Sequence, residues 1–274
     1  MSEESSSPMD RQDEPEISKT ILCTYHEKLL DRIISDVLIV GAGPSGMTAA
    51  IHLARAGLKV TVLEKRLSPG GGIWGGGMGM SQAVVEEDVL PLLDDLGVKY
   101  ELRRKDLYAA DAIELAAGLC LNAIQAGAAL FNLMAVEDVC LRSQRITGVV
   151  VNRTTIAESL PVDPIAFSAK AVVDATGHEA AVVEALRKRG LLTDSAAPTR
   201  LGEGPMDACS GEAFVVEKAG EVFAGLWVAG MSVCATLGGP RTGPIFGGML
   251  LSGKRVADLI ASGISHSGDN MPEN

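Results

Sequence analysis

Four stretches of this chain carry residue types at spacings that could do chemistry. The first is Gly41-Ala42-Gly43-Pro44-Ser45-Gly46, set directly after the apolar run Val37-Leu38-Ile39-Val40. Gly41 permits a tight turn, Gly43 lets backbone reach a pyrophosphate, and Gly46 lets the following helix pack closely on a sheet. The N-terminus of that helix then offers free N–H groups and a positive dipole end to phosphate. Glu64 closes the next apolar run, eighteen residues past Gly46. A carboxylate there accepts hydrogen bonds from ribose hydroxyls and repels a 2′-phosphate, which favours FAD or NAD over NADP. Residue order does not separate FAD from NAD, and the plainer alternative is a glycine turn that binds nothing.

The second stretch, Gly70-Gly71-Gly72-Ile73-Trp74-Gly75-Gly76-Gly77-Met78-Gly79, holds seven glycines in ten positions. So mobile a segment opposes folding unless backbone must wrap closely around something. Trp74 argues against a bare surface lid, because a large apolar ring seeks a surface to cover. The third, Gly238-Gly239-Pro240-Arg241-Thr242-Gly243-Pro244, clears space around Arg241. Its planar fork matches a carboxylate; the alternative is an ordinary surface arginine. The fourth pairs Asp163, in Val162-Asp163-Pro164, with His178, in Ala175-Thr176-Gly177-His178. A carboxylate oxygen and a neutral imidazole suit Fe(II) or another borderline divalent metal with positions left open. From the residues alone, a hydrogen-bonded structural histidine is the competing reading of His178.

The elements that must position these residues follow from hydrophobic periodicity. Ile17, Ile21, Tyr25, Leu29 and Ile33 recur every four residues, predicting a helix over 18–34 with Ser18 as N-cap. Strand 36–40, helix 44–56 and strand 59–63 then make a βαβ unit with the glycines in its first turn. Helices are expected over 84–96 and 106–126, and a β-meander over 128–151 with a polar turn at Ser143-Gln144-Arg145. Strand 171–173 leads into a helix over 180–189. Phe214-Val215-Val216 and Leu226-Trp227-Val228 read as short strands, and 246–261 as a last helix. Residues 1–16 and 267–274 read as disordered tails around one domain, 17–266, with neither linker nor repeat.

Composition excludes several classes. With 24 Lys and Arg against 35 Asp and Glu, the formal charge is −11, unsuited to a phosphate backbone. Hydrophobic residues make up 47% of the chain, enough for a sizeable core. The five scattered cysteines (Cys23, Cys120, Cys140, Cys209 and Cys234) include no CxxC pair. They fit neither a disulfide framework nor a tetrahedral zinc site, and they point to a reducing cytoplasm. The first sixteen residues lack the apolar core of a signal peptide, and no apolar run is long enough for a membrane span.

Taken together, DVLIVGAGPSGMTAA at 36–50, VLEKRLSPGGGIWGGGMGM at 62–80, VDP at 162–164, VVDATGH at 172–178 and VAGMSV with LGGPRTGPIFGGMLLSG at 228–253 resemble thiamine thiazole synthases. The likeness runs from about 17 to 263 and is strongest to the archaeal-type, sulfide-dependent branch. It implies an α/β fold: an FAD/NAD(P)-binding, Rossmann-like three-layer domain with a parallel central sheet and a β-meander. It implies an enzyme that turns NAD, glycine and sulfide into an ADP-linked thiazole carboxylate with Fe(II). By motif position, Gly41, Gly43, Ser45, Gly46, Glu64, Lys65, Gly72, Val136, Pro161, Val162, Asp163 and Met231 would contact NAD. Asp163 and His178 would hold the iron, Asp163 reaching in from a neighbouring subunit of a homo-octamer, and Arg241 would clamp glycine. Asp163, His178 and Arg241 would thus be the catalytic set. Eukaryotic-type members carry a sulfur-donating cysteine two residues before the aspartate, and archaeal-type members typically a histidine. Here the position is Pro161, which excludes sulfur donation at that position, and free sulfide or another external donor is expected. The alternatives are a flavin-dependent oxidoreductase of the geranylgeranyl-reductase type and a non-catalytic ADP-ribose or NAD carrier.

Overall fold

The computed structural model describes residues 13–155, 163–192 and 202–267, the side chains of 265–267 excepted. The chain order is α1 (Glu14–Arg32), β1 (Ile34–Val40), α2 (Pro44–Arg55), β2 (Val60–Leu63), β3 (Gln82–Val85), α3 (Leu90–Leu96), β4 (Tyr100–Arg104), β5 (Leu107–Asp111) and α4 (Ala112–Gln125). It continues with β6 (Ala129–Phe131), β7 (Met134–Arg142), β8 (Arg145–Arg153), β9 (Ile165–Asp174), α5 (Ala181–Lys188), β10 (Gly204–Met206) and α6 (Ala208–Lys218). It ends with β11 (Gly220–Phe223), β12 (Leu226–Val228), α7 (Met231–Leu237), β13 (Pro240–Arg241) and α8 (Gly247–Ser267).

Five strands form a parallel core in the order β12-β9-β1-β2-β6. Their apolar runs are uninterrupted because both faces are buried: Val37, Leu38, Ile39, Val60, Val62, Val172 and Val173 are fully shielded from solvent. β11 adds an antiparallel edge beside β12, and the β7–β8 hairpin joins through β8 to the first half of β9. That hairpin turns at Ser143 and Gln144, both at positive φ, as a tight two-residue turn requires. β9 is therefore shared: it begins beside the hairpin and ends inside the parallel core. A separate antiparallel sheet has the order β3-β5-β4.

α2 packs lengthwise on α8, and glycine makes the approach possible. A Cβ at Gly253 would lie 2.2 Å from the Ser45 carbonyl oxygen. This contact brings the last helix of the chain against the fingerprint turn.

Several expectations are corrected. Phe214-Val215-Val216 lies inside α6, not in a strand. The β-branched and aromatic run suggested extension, but Asp207 caps the helix by accepting from the Ser210 N–H, and Gly211 and Val215 bury one face at helical spacing. Val84 and Val85 belong to β3, and the helix expected there begins only at Leu90. The helix placed at 106–126 begins at Ala112, where the Asp111 carboxylate accepts from the N–H groups of Ile113 and Glu114. Residues 129–131 join the parallel sheet beside β2 and not a meander. α1 begins at Glu14 behind Asp13, inside the segment read as a tail, with Pro15 in its first turn and Ser18 already helical. α8 runs to Ser267, beyond the expected 261. Residues 1–12 and 268–274, the rest of the expected tails, lie outside the described residues.

Candidate functional site

The carboxyl ends of all five parallel strands converge on one cavity of about 660 Å³. An open α/β sheet places ligands there, because the strand-to-helix turns expose backbone donors at that edge. The volume falls in the range of roughly 300–1,000 Å³ usual for small-molecule sites. The loop after β1 supplies Gly41, Gly43 and Ser45, and β2 leads into Glu64 and Lys65. Val136 follows β6, His178 follows β9 and Met231 follows β12, all lining the same space.

Glycine is obligatory in the first of these loops. Gly41 adopts φ +100°, and a Cβ there would sit 2.4 Å from the Ala175 carbonyl oxygen. A Cβ at Gly46 would lie 2.0 Å from the Gly41 carbonyl oxygen. Gly46 is thus a packing residue behind the turn and does not itself line the cavity. Gly43 has open space where a side chain would stand, the condition for close approach of a ligand. Glu64 is buried, and its two oxygens accept the Ala42 and Arg66 N–H groups at 2.8 Å each. It braces the fingerprint turn while still lining the cavity; a carboxylate has about four acceptor sites, so capacity remains. Lys65 and Glu179 pair at 2.5 Å across the cavity rim.

The second glycine run folds onto the first. The Gly70 N–H donates to the Ala42 carbonyl at 2.7 Å. Trp74 lies over Gly70 and donates its indole N–H to the Pro69 carbonyl at 2.7 Å. Gly71, Gly72, Gly77 and Met78 line the cavity. At Gly77, a Cβ would come within 3.0 Å of Pro244, so this run also closes against the late glycine-rich loop. That loop contributes Arg241, Thr242, Gly243, Pro244 and Phe246 to the lining.

His178 stands on a turn built around a buried carboxylate. Asp174, the last residue of β9, is fully shielded. It accepts from the Thr176 N–H and hydroxyl, the Ser232 hydroxyl, and the Val182 and Val183 N–H groups. Burial pushes its carboxyl above the usual range, against the pull of these bonds. Ser232 also accepts the Gly177 N–H, tying the turn to α7. His178 itself is held from outside: its Nδ1 lies 2.6 Å from Glu203 Oε1. The other oxygen of Glu203 lies 3.5 Å from Arg241 Nε.

Asp163 does not join this cluster within one chain. It precedes β9 while His178 follows it, and the ten residues of β9 span roughly 30 Å at about 3.3 Å per residue. Pro161 and Val162 lie outside the described residues. No group of three or more His, Cys, Asp or Glu that could hold a metal exists among the described residues. No helix among them is long and apolar enough to cross a membrane.

Among the acidic residues that escaped the sequence reading are Glu203 and Glu212. Glu203 sits in Gly202-Glu203-Gly204, which carries no recognisable pattern. Glu212, on the buried face of α6, accepts the Gly248 N–H at the start of α8 while its other oxygen is buried without a partner. Burial pushes its carboxyl up to about 7, with Glu86 and Asp88 adding to the rise and the Gly248 bond opposing it. Cys234 is buried and donates its thiol to the Pro240 carbonyl at 3.1 Å. Burial pushes that thiol up to about 12, assisted by Glu203 and Glu212.

The profile of the Thi4 family matches residues 18–246. The thiamine thiazole synthase of Pyrococcus abyssi is 48% identical over 245 residues, 89% of this chain and 95% of that protein. The thiamine thiazole synthase of Thermotoga maritima is 49% identical over 246 residues, 89% of this chain and 96% of its own. The crystal structure of THI4 from Thermovibrio ammonificans superposes with a TM-score of 0.88 at 42% identity, covering 93% of this chain and 99% of that one.

Proposed function

The chain belongs to the Thi4 family, and from that membership we propose that it builds the thiazole precursor of thiamine from NAD, glycine and sulfide with Fe(II). Thiazole formation is the family's activity by the names of its members; the choice of reactants is our reading. One observation carries it. A dinucleotide fingerprint, a glycine-walled loop, an arginine and a histidine, drawn from segments far apart in sequence, line a single cavity.

Each residue has a task that its setting suits. The N-terminus of α2, opened by Gly43 and Ser45, presents backbone donors to a pyrophosphate. Glu64 faces the ribose, and Lys65, Gly72, Val136 and Met231 wall the nucleotide. Loss of nicotinamide leaves an ADP-ribose electrophile, and ring opening with isomerisation gives a ketone. Arg241 holds the carboxylate of glycine by its planar fork and leaves the amine free to attack that ketone. The glycine run at 70–79 and the segment at 238–246 close over the cavity and exclude water from the intermediates.

The donor chemistry fits Fe(II). His178 lines the cavity with Nδ1 engaged by Glu203, so Nε2 is the nitrogen left to ligate. With Asp163 from a second copy it would supply one nitrogen and one oxygen donor. When bound, the ion supplies Lewis acidity that polarises substrate oxygens and gathers sulfide. The need for a second copy supports a homo-oligomer, an octamer by the family resemblance. α1 agrees with assembly, since Ile17, Ile21, Leu22 and Leu30 are all more than half exposed on a single chain. The sulfur comes from outside: Pro161 has no thiol, and no described residue lining the cavity is a cysteine. Cys234 is held as a protonated, hydrogen-bonded thiol. The same reading assigns the reaction to the cytoplasm, in keeping with scattered cysteines that include no CxxC pair.

Anaerobic incubation of the purified protein with NAD, glycine, Fe(II) and sulfide tests the reading. Mass spectrometry should find an adenylated thiazole carboxylate and repeated turnover. If the product is absent with all four present, or if the protein purifies with a bound flavin, the reading fails.

A further inference from the structure

Glu203 joins two cavity residues that the sequence reading treated separately. Its side chain is only 13% exposed, with one oxygen 2.6 Å from His178 Nδ1 and the other 3.5 Å from Arg241 Nε. The placement is built by backbone. Glu203 immediately precedes β10, which pairs in parallel with β13, the strand that carries Arg241. The Gly204 N–H donates to the Gly239 carbonyl at 2.8 Å, and the Asp207 N–H to the Arg241 carbonyl at 3.0 Å. On the opposite side, the turn carrying His178 is fixed by Asp174 and Ser232. The carboxylate therefore bridges two independently anchored groups.

The chemistry of the bridge is specific. An ionised carboxylate can only accept, so a neutral imidazole facing it carries its proton on Nδ1 and its lone pair on Nε2. The ring is also fixed in orientation, as second partners of metal-binding histidines commonly achieve. On the other side, an ion-pair contact at Nε leaves the two terminal nitrogens of Arg241 as the fork for a ligand carboxylate. We propose that Glu203 is a positioning residue that sets the tautomer of His178 for metal binding and aims the Arg241 fork at the substrate carboxylate. This rests on the function proposed above. It adds a single carboxylate through which the metal side and the amino-acid side of the cavity are held in register.

The test compares the wild-type enzyme with Glu203→Ala and Glu203→Gln, using His178→Ala as the metal-free control. Anaerobic equilibrium dialysis measures Fe(II) affinity, and steady-state kinetics give separate KM values for glycine and NAD. Glu203→Ala should weaken Fe(II) binding about 10–100-fold, the usual loss for a second partner of a metal-binding histidine. It should also raise the KM for glycine and leave the KM for NAD within about twofold. The amide oxygen of Glu203→Gln still accepts from Nδ1–H but carries no charge. That variant should keep Fe(II) affinity near wild type while its KM for glycine rises, and it serves as the folded comparison if the alanine variant is unstable. Wild-type Fe(II) affinity in Glu203→Ala, or an unchanged KM for glycine in both variants, overturns the proposal. Loss of iron as severe in Glu203→Gln as in Glu203→Ala overturns the tautomer role. Failure of the wild-type protein itself to bind Fe(II), or to make a thiazole, instead sinks the underlying function.

Discussion

Glu212 makes the stability of this protein depend on pH with a sign opposite to that of an ordinary ion-paired carboxylate. The residue is 5% exposed, has one unpartnered oxygen, and is pushed by burial up to about 7 from an ordinary 4.5. The unfolded chain releases this proton near 4.5, while the folded chain keeps it until about 7. Between those values the folded state binds more protons, so unfolding free energy falls as pH rises. A shift of one unit corresponds to about 1.4 kcal/mol, so the loss across the window is on the order of 3 kcal/mol. Stability from this group is fully present below 4.5 and gone once the folded carboxyl has ionised above 7. Glu212→Gln removes the titration yet keeps an oxygen to accept the Gly248 N–H. Its extra amide hydrogens are buried without a partner, a penalty of about 1–3 kcal/mol. The variant should therefore be less stable than wild type at about pH 5 and should match or exceed it at about pH 8. Urea denaturation of both proteins across that range gives the difference directly, because titrating groups that do not interact with Glu212 cancel. A difference that stays flat with pH would refute the argument.

Three further outcomes follow from the same structure. Gly46→Ala drives a Cβ to 2.0 Å from the Gly41 carbonyl oxygen; it should destabilise by about 1–3 kcal/mol or more and abolish NAD binding, read by urea denaturation and calorimetric titration. Asp174→Ala strips acceptors from the buried Val182 and Val183 N–H groups; a loss of at least ~3 kcal/mol is expected, with Asp174→Asn recovering part of it. Arg241→Ala should raise the KM for glycine about 10–100-fold, the worth of a charge-assisted pair, while calorimetry finds NAD affinity nearly unchanged.

Much of this was legible in the sequence because its signals are local. The βαβ unit and its glycines lie within one short stretch, and each glycine answers to a steric demand a few residues away, as Gly46 does to Gly41. The segments 41–45, 71–78 and 241–246 each carried a recognisable composition, and they line the same cavity. What failed was local propensity overruled by context. Phe214-Val215-Val216 reads as strand on composition, but the cap at Asp207 and the burial of Gly211 and Val215 make it helix. Val84 and Val85 fit a helical period that ignores their pairing with Ala109 and Tyr108. Glu203 was invisible for a different reason. Its partners lie 25 residues before it and 38 after it, and a glutamate between glycines announces nothing until β10 is laid beside β13.

On the proposed function, the length of β9 gives the chain a reason to act as an assembly. The strand serves the meander at its start and the parallel core at its end. Asp163 and His178 are thus set at opposite ends of a rigid rod roughly 30 Å long. On the proposed function, a single chain offers half of one metal site at each end of β9, and neither half suffices. The apolar residues left bare along α1 give the chain a reason to associate. Linkage makes the two demands reciprocal: if Fe(II) prefers the assembled form, then iron must tighten assembly by the same free energy with which assembly tightens iron. Analytical ultracentrifugation with and without Fe(II) should show that tightening in the wild-type protein. It should vanish in His178→Ala, which removes the proposed metal ligand at one end of β9 and leaves the apolar surface intact.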